Sequence, residues 1–431
     1  MREFTVRWDG DVKRIKIPDD NIEAIAEMHD RPALANPIAN LKEVFEDPIG
    51  CEKLIDILHP GDKVAIASSE YTRDPSTWML APAVEEVLTK AGIRDDDVSL
   101  VTAPGTHQNR EQQLSNPLVR QVFGSLTNRY RLVIQDADEQ ENLRYLGTTS
   151  QNTPVFVNKA WADADVKIGF GEISPNLLAC FCGGAKIVCP GMSGRTTIGA
   201  NHRLIMKPDF RKWLMTESNY VRQDMNEIAK MAGLDFKIDV VNNSKREVVK
   251  VFGGDFVKEY AEGAHLAERV YGTRFKRKTD IALWFKPDDS PRSQGRSFRS
   301  GLHYLILAAD LATKEDGIVI GVFSGKDGFA RGAGEDLLKI PSEELTWRLA
   351  TNMKDPHEFC DWEHRRTVDL KKTFVVSKLP REQLKQYGVA YATDSPEDAL
   401  AKAFEEKGKN ATISVLIPPS NIASQYIYPI L

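Results

Sequence analysis

Three polar loops, each following an apolar run, hold most of the residues that could do chemistry in this 431-residue chain. The first is Ser68-Ser69-Glu70-Tyr71-Thr72-Arg73-Asp74-Pro75, where Arg73 could clamp a carboxylate through paired hydrogen bonds. A solvated turn with Arg73 paired to Asp74 accounts for the same residues. The second, Ala103-Pro104-Gly105-Thr106-His107-Gln108, places an imidazole where it could move protons near neutral pH. A hydrogen-bonded structural histidine is the competing account of His107. The third, residues 171–202, carries Gly171, Gly183, Gly184, Gly191 and Gly194, with Lys186 between Gly183-Gly184 and Pro190-Gly191. Such glycines permit tight turns and close backbone approach to a phosphate. Lys186 is placed for phosphate contact or covalent attachment, although a glycine-rich structural loop with a solvated lysine fits as well.

Other patterns are excluded or weak. Gly169-Phe170-Gly171 lacks the third glycine of a dinucleotide fingerprint, and no Walker A sequence occurs. Cys180-Phe181-Cys182 invites a metal, but no second CxxC accompanies it, so buried structural thiols are the reading adopted. The eight histidines include no HExxH. His357 and His364 flank Trp362 about two helical turns apart and read as surface or cleft-rim residues. His29, His59, His265 and His303 have no local company and read as structural.

The elements that must position these loops alternate. Runs at 63–67 and 98–102, with a helical pattern at 82–91 ending at Gly92, form a βαβ unit and imply a parallel sheet. Further strands are expected at 131–135 and 165–170, and a hairpin at 236–241 and 247–252 about Asn242-Asn243-Ser244. A second α/β pattern follows the basic stretch 274–278: strands at 280–285, 317–323, 373–376, 389–391 and 411–416, and a helix at 301–313. Residues 396–407 read as an amphipathic helix with Ser395 as N-cap and Pro396 at N1. The expected architecture is two α/β domains with mainly parallel sheets. They would comprise residues 1–272, with 418–431 a candidate addition to them, and residues 279–417, with ligands in the cleft between them.

Composition narrows the class. Lys and Arg number 57 against 62 Asp and Glu, a formal net charge of −5 that argues against a general nucleic-acid binder. Five scattered cysteines do not make a disulfide framework and point to a reducing compartment. Mean hydropathy is −0.37. The N-terminal residues alternate as in a strand rather than a signal peptide, and no apolar stretch is long enough to span a bilayer. A cytoplasmic protein is expected.

Together the loops resemble the nickel-dependent lactate racemase family, whose signature has the form GxxxPHxxxGxSGGxKxxxPGxxGxxTIxxNH. The chain matches it at Gly171, Pro175, Gly183, Gly184, Lys186, Pro190, Gly191, Gly194, Thr197, Ile198, Asn201 and His202. Thr72-Arg73 and Gly105-Thr106-His107 correspond to the family's upstream pieces, Asp239-Val240-Val241-Asn242 and Val251–Asp255 to its hairpin, and Asp327-Gly328 to a later loop. The resemblance implies a nickel-pincer nucleotide, pyridinium-3,5-bisthiocarboxylic acid mononucleotide carrying nickel. It implies covalent attachment at Lys186, metal coordination by His202, and contacts from Gly183, Gly184, Thr72 and Trp362. It implies reversible hydride transfer from C2 of a 2-hydroxy acid, with Arg73 on the carboxylate, Tyr71 nearby and His107 on the hydroxyl proton. Cofactor-making proteins would be partners, and a homo-oligomer is compatible with it.

Two departures follow from that alignment. The family's second histidine falls at Asn176, which can hydrogen-bond a hydroxyl but cannot act as its base. Glu172, Tyr71 and Glu70 are the candidate replacements. The family's second-domain lysine falls near Tyr304, while Arg292, Arg296 and Arg299 crowd the loop 288–300. Asn176 implies either another base for the second enantiomer or a substrate other than lactate, and the extra arginines and polar residues point to a larger, more hydroxylated or more acidic one, such as a sugar acid. An oxidoreductase or lyase on the same scaffold, or a binding protein that has lost the cofactor, are the alternatives.

Overall fold

Strands that are apolar on both faces must be covered on both faces, and here they build two parallel sheets. The computed structural model describes every residue except Asp9, 71–75, 208–217, 287–296, 330–336, 353–357, 418–427 and Leu431. The chain forms two units, one of Asp30–Ala267 and one of Met1–His29 with Glu268–Leu431.

The unit of Asp30–Ala267 is built on a six-stranded sheet. Its strands are β1 (Val64–Ser69), β2 (Val98–Ala103), β3 (Arg131–Val133), β4 (Val166–Glu172), β5 (Phe236–Asn242) and β6 (Val248–Gly254). Their order is β6-β5-β4-β1-β2-β3, parallel throughout except for the β5–β6 hairpin. The expected βαβ unit is present, with its helix at Ala81–Lys90. Asn243 Oδ1 accepts from the N–H groups of Lys245 and Glu247 and so shapes the hairpin turn. Helix Pro37–Glu46 (Leu41, Phe45) and helix Ala81–Lys90 (Val84, Leu88) pack with Ile66, Leu100, Ile168, Phe170 and Phe236 in one apolar cluster. Register puts Ser69 opposite Ala103, Ser68 opposite Phe170 and Asp239 opposite Gly171, so the loops after β1, β2 and β4 leave one edge of the sheet.

The other unit has its own six-stranded parallel sheet, in the order Tyr391–Thr393, Lys372–Val376, Thr313–Val322, Thr279–Phe285, Ile413–Leu416, Ile22–Ala26. Helix Pro396–Lys407 has the predicted bounds, with Ser395 Oγ accepting from Asp398 N at 3.1 Å. The helix expected at 301–313 runs Phe298–Leu307 and widens into a π-turn at Ala308–Ala312. The strand expected at 389–391 begins at Tyr391.

Residues 1–29 were assigned from sequence to the first domain, but they belong with the second sheet. Ile22–Ala26 pairs in parallel with Ile413–Leu416, and Phe4, Val6, Ile15 and Ile17 of the N-terminal hairpin join that sheet's apolar cluster. Of 418–431, Tyr428–Ile430 pairs with Gly272–Arg274 within the same unit. Among the described residues no helix is long and apolar enough to cross a membrane. None of the five cysteines is in a disulfide.

Candidate active site

The loops leaving β1 and β2 meet one step beyond the pair Ser69–Ala103. Glu70 Oε1 accepts a hydrogen bond from His107 Nδ1, and Gln108 Nε2 donates to Glu70 Oε2 at 3.1 Å. Glu70 is buried and the His107 side chain is about one-third exposed. A carboxylate only accepts, so Nδ1 carries the proton and the lone pair of a neutral ring sits on Nε2. This is the arrangement of a general base oriented by an acid. Local sequence fixes the ring's approach: His107 N donates to Pro104 O, and the next helix, Arg110–Leu114, starts with a reciprocal capping box between Asn109 and Gln112. Behind it, Thr102 Oγ1 donates to Gln113 Oε1 at 2.7 Å, and Gly105 N donates to Gly191 O at 2.9 Å, joining the second loop to the third.

The third segment is held from beneath by buried charge. Lys186 is half-buried in a single turn, Gly184–Ile187. Asp239 Oδ2 accepts Gly184 N at 2.7 Å, and Arg222 Nη1 donates to Gly183 O at 3.0 Å. Arg222 also donates to Ala179 O and Phe181 O, and its guanidinium stacks on Tyr260 at 4.0 Å from the ring centre. Lys237 Nζ lies 2.6 Å from Asp239 Oδ1, and both side chains have no solvent exposure. Buried Glu259 completes the cluster; burial, and then the charge of Asp239, push its carboxyl well above the ordinary carboxylate range.

Gly183 (φ +84°) and Gly184 (φ +54°) are required by this packing. A Cβ on Gly183 would come within 2.5 Å of Ile173 Cγ1 and 2.8 Å of Asp239 Oδ2, and one on Gly184 within 2.9 Å of Phe256 O. The glycines read from sequence as a phosphate cradle are thus filled from one side by protein.

His202 closes helix Arg195–His202, which is fastened by the bidentate Arg195–Asp138 pair and by Thr197 Oγ1 on Pro154 O at 2.7 Å. It is buried, with Nδ1 3.2 Å from Asn201 Oδ1. Between this helix and Lys186 lies Cys189, whose thiol is pushed up to about 12 by burial and by Asp224, against the opposing charge of Lys186. That thiol is protonated at neutral pH and inert.

The structure separates the candidates for a second base. Glu70 is engaged with His107, and Glu172 faces Arg246 at 3.8 Å with both side chains largely buried. Tyr71, with Thr72 and Arg73, lies outside the described residues. Asn176 Oδ1 accepts from Leu178 N at 3.1 Å and Ala179 N at 3.0 Å, so its only acceptor atom is committed to a turn. In the other unit, Trp362 Nε1 donates to Thr346 Oγ1 at 2.7 Å, and Arg299 pairs with Asp361. His364, read as a rim residue, is buried on helix Glu358–Leu370. Arg292, Arg296 and His357, and the Tyr304 side chain, lie outside the described residues. The sequence reading missed Arg222, Asp224 and Glu259 altogether. Each is a charge within a helix, spaced as a solvated residue would be, and only the fold buries it.

A metal held here would have to bring most of its own ligands. Among the described residues no three His, Cys, Asp or Glu converge as a metal site, whereas a lysine amine and one imidazole suit a covalently tethered soft-donor complex. Fold and site define an α/β protein with a carboxylate-oriented histidine beside a clamped lysine loop.

Residues 9–212 match the lactate racemase N-terminal domain. Lactate racemase of Thermoanaerobacterium thermosaccharolyticum is 27% identical over 259 residues, 59% of each chain, so the matched region spans about three-fifths of that relative. Lactate racemase of Lactiplantibacillus plantarum is 24% identical over 386 residues, 87% of this chain and 88% of that one. The solved lactate racemase apoprotein of T. thermosaccharolyticum superposes with a TM-score of 0.81 at 21% identity, over 98% of this chain and 99% of that one. A crystal structure of a Thermotoga maritima protein gives 0.65 at 15%, over 91% and 99%. The chain is thus similar in sequence to lactate racemases over as much as 87% of its length, and shares the fold of the solved apoprotein.

Proposed function

We propose that this protein is an isomerase that inverts C2 of a 2-hydroxy acid larger or more acidic than lactate, using a nickel-pincer nucleotide held at Lys186. The observation that carries the reading is the Glu70–His107 pair, a base oriented at the edge from which the Lys186 loop also leaves. When bound, the nucleotide would supply a hydride acceptor for C2. Lys186 would hold it and His202 Nε2 would complete the metal's donors. Nε2 of His107 would take the hydroxyl proton and return it, while Glu70 keeps the ring in one tautomer. Arg73 would clamp the carboxylate, with Tyr71 and Thr72 in the same loop.

Intact-mass analysis and nickel content after co-expression with cofactor-making proteins test this. An adduct on the wild type that is absent in Lys186→Ala supports the attachment; an unmodified wild-type mass under those conditions overturns it.

A second reading, a 2-hydroxy-acid oxidoreductase or lyase, is favoured by one observation: the Asn176 acceptor is spent on a turn. Incubation with a single enantiomer separates the two. Racemisation supports the isomerase, whereas one equivalent of keto acid without racemisation supports the half-reaction.

A further inference from the structure

We infer that Asp224 sets the tautomer of His202 through the side-chain amide of Asn201, which leaves the lone pair of the neutral ring on Nε2 to serve as a metal donor. The role of the lone pair rests on the reading of His202 given above, but the tautomer does not.

Asp224 lies on helix Tyr220–Met231 with no solvent exposure. Its Oδ1 accepts Thr149 Oγ1 at 2.5 Å, and its Oδ2 accepts Thr153 Oγ1 at 2.9 Å and Asn201 Nδ2 at 2.8 Å. The two threonines are held by their own turn, with Thr149 N on Thr153 O at 2.9 Å and Thr153 N on Thr149 Oγ1 at 3.1 Å. The second hydrogen of Asn201 Nδ2 goes to Val221 O at 3.1 Å. A carboxylate and a carbonyl can only accept, so both partners demand the NH₂ end of the Asn201 amide.

That leaves Oδ1 as the Asn201 atom 3.2 Å from His202 Nδ1. An amide oxygen also only accepts, so Nδ1 must carry the hydrogen, and a neutral ring then has its lone pair on Nε2. Asn201 is itself fully buried, so water does not compete for these atoms. Residues behind a metal-binding histidine commonly fix its tautomer in this way. Asp224 is therefore a positioning residue: it acts on His202 only through Asn201.

The test uses the full chain without cofactor, labelled with ¹⁵N-histidine, at pH about 8, more than a unit above the ordinary histidine pKa. Two-bond ¹H–¹⁵N correlation reads each ring's tautomer, and His202→Gln assigns the signal among the eight histidines. The wild type is expected to show His202 protonated at Nδ1. Asp224→Leu should release the amide and move the population toward Nε2–H. The same variant should weaken nickel retention by roughly 10- to 100-fold in cofactor-loaded protein. Thr153→Val, which leaves the carboxylate facing Asn201, should keep the wild-type tautomer. If Asp224→Leu does not fold, Asn201→Ala removes the acceptor itself and should give the same shift. A wild-type ring protonated at Nε2, or an unchanged Nδ1–H tautomer in the variants that fold, overturns the inference. The expected tautomers without any nickel binding would uphold the relay and refute the metal role of His202.

Discussion

Asp239 Oδ2 accepts the backbone N–H of Gly184 at 2.7 Å, two residues ahead of Lys186. A carboxylate on β5 thereby holds the loop that follows β4, and Lys237 balances its charge with both side chains fully buried. Replacing Asp239 with Ala strands the Lys237 charge and the Gly184 N–H. The expected loss is about 3–5 kcal/mol of stability, read as a lower urea midpoint. Replacing Lys237 and Asp239 together by apolar residues should lose less than Asp239→Ala alone. A double variant as unstable as the single one would show that the Gly184 bond, not the stranded charge, dominates.

Glu259 should make stability depend on pH in an unusual direction. Its carboxyl is raised well above its ordinary 4.5 by burial and the neighbouring Asp239. Above that pH the unfolded chain gives up the proton while the folded protein keeps it, so this group lowers stability as pH rises toward its folded pKa. Glu259→Gln preserves the neutral shape and removes the titration. The variant should match wild type near pH 4–5 and gain on it at higher pH, by at most about 1.4 kcal/mol per unit. Denaturation at a series of pH values measures the difference between the two proteins. A difference that stays flat would mean Glu259 is ionised in the folded state.

His107→Ala should lower racemisation on the order of 10²–10⁴-fold, the usual contribution of an acid–base group. Glu70→Gln keeps the size but can present NH₂ to Nδ1 and reverse the tautomer, so a loss of roughly 10²-fold or more is expected in kcat. Steady-state kinetics on the identified 2-hydroxy acid decides. Wild-type turnover in Glu70→Gln would remove the carboxylate from the mechanism.

Asn176→His should destabilise the protein by about 1–2 kcal/mol, because the Leu178 and Ala179 N–H groups lose a shared acceptor. Thermal unfolding checks this. If position 176 sets the base arrangement, the same variant gains lactate racemisation. An unchanged substrate profile would mean the pocket decides.

Local features of the sequence by themselves determined the parallel strands, the loops at their C-terminal ends, the helix capped by Ser395, and the glycine–lysine–histidine segment. Those features depend on periodicity, turn chemistry and spacing within a few dozen residues. Tertiary structure alone decided that Glu70, read from sequence only as a candidate second base, is the carboxylate that orients His107, because the β1–β2 register brings their loops together. It also decided why Gly183 and Gly184 are glycines, because Asp239 and Tyr260 approach them from distant parts of the chain. Residues 1–29 joined the other unit for the same reason: Ile22–Ala26 finds its hydrogen-bond partner in Ile413–Leu416. Strand pairing and buried charge are satisfied by non-local partners, and neither residue of such a pair carries a local mark of the other.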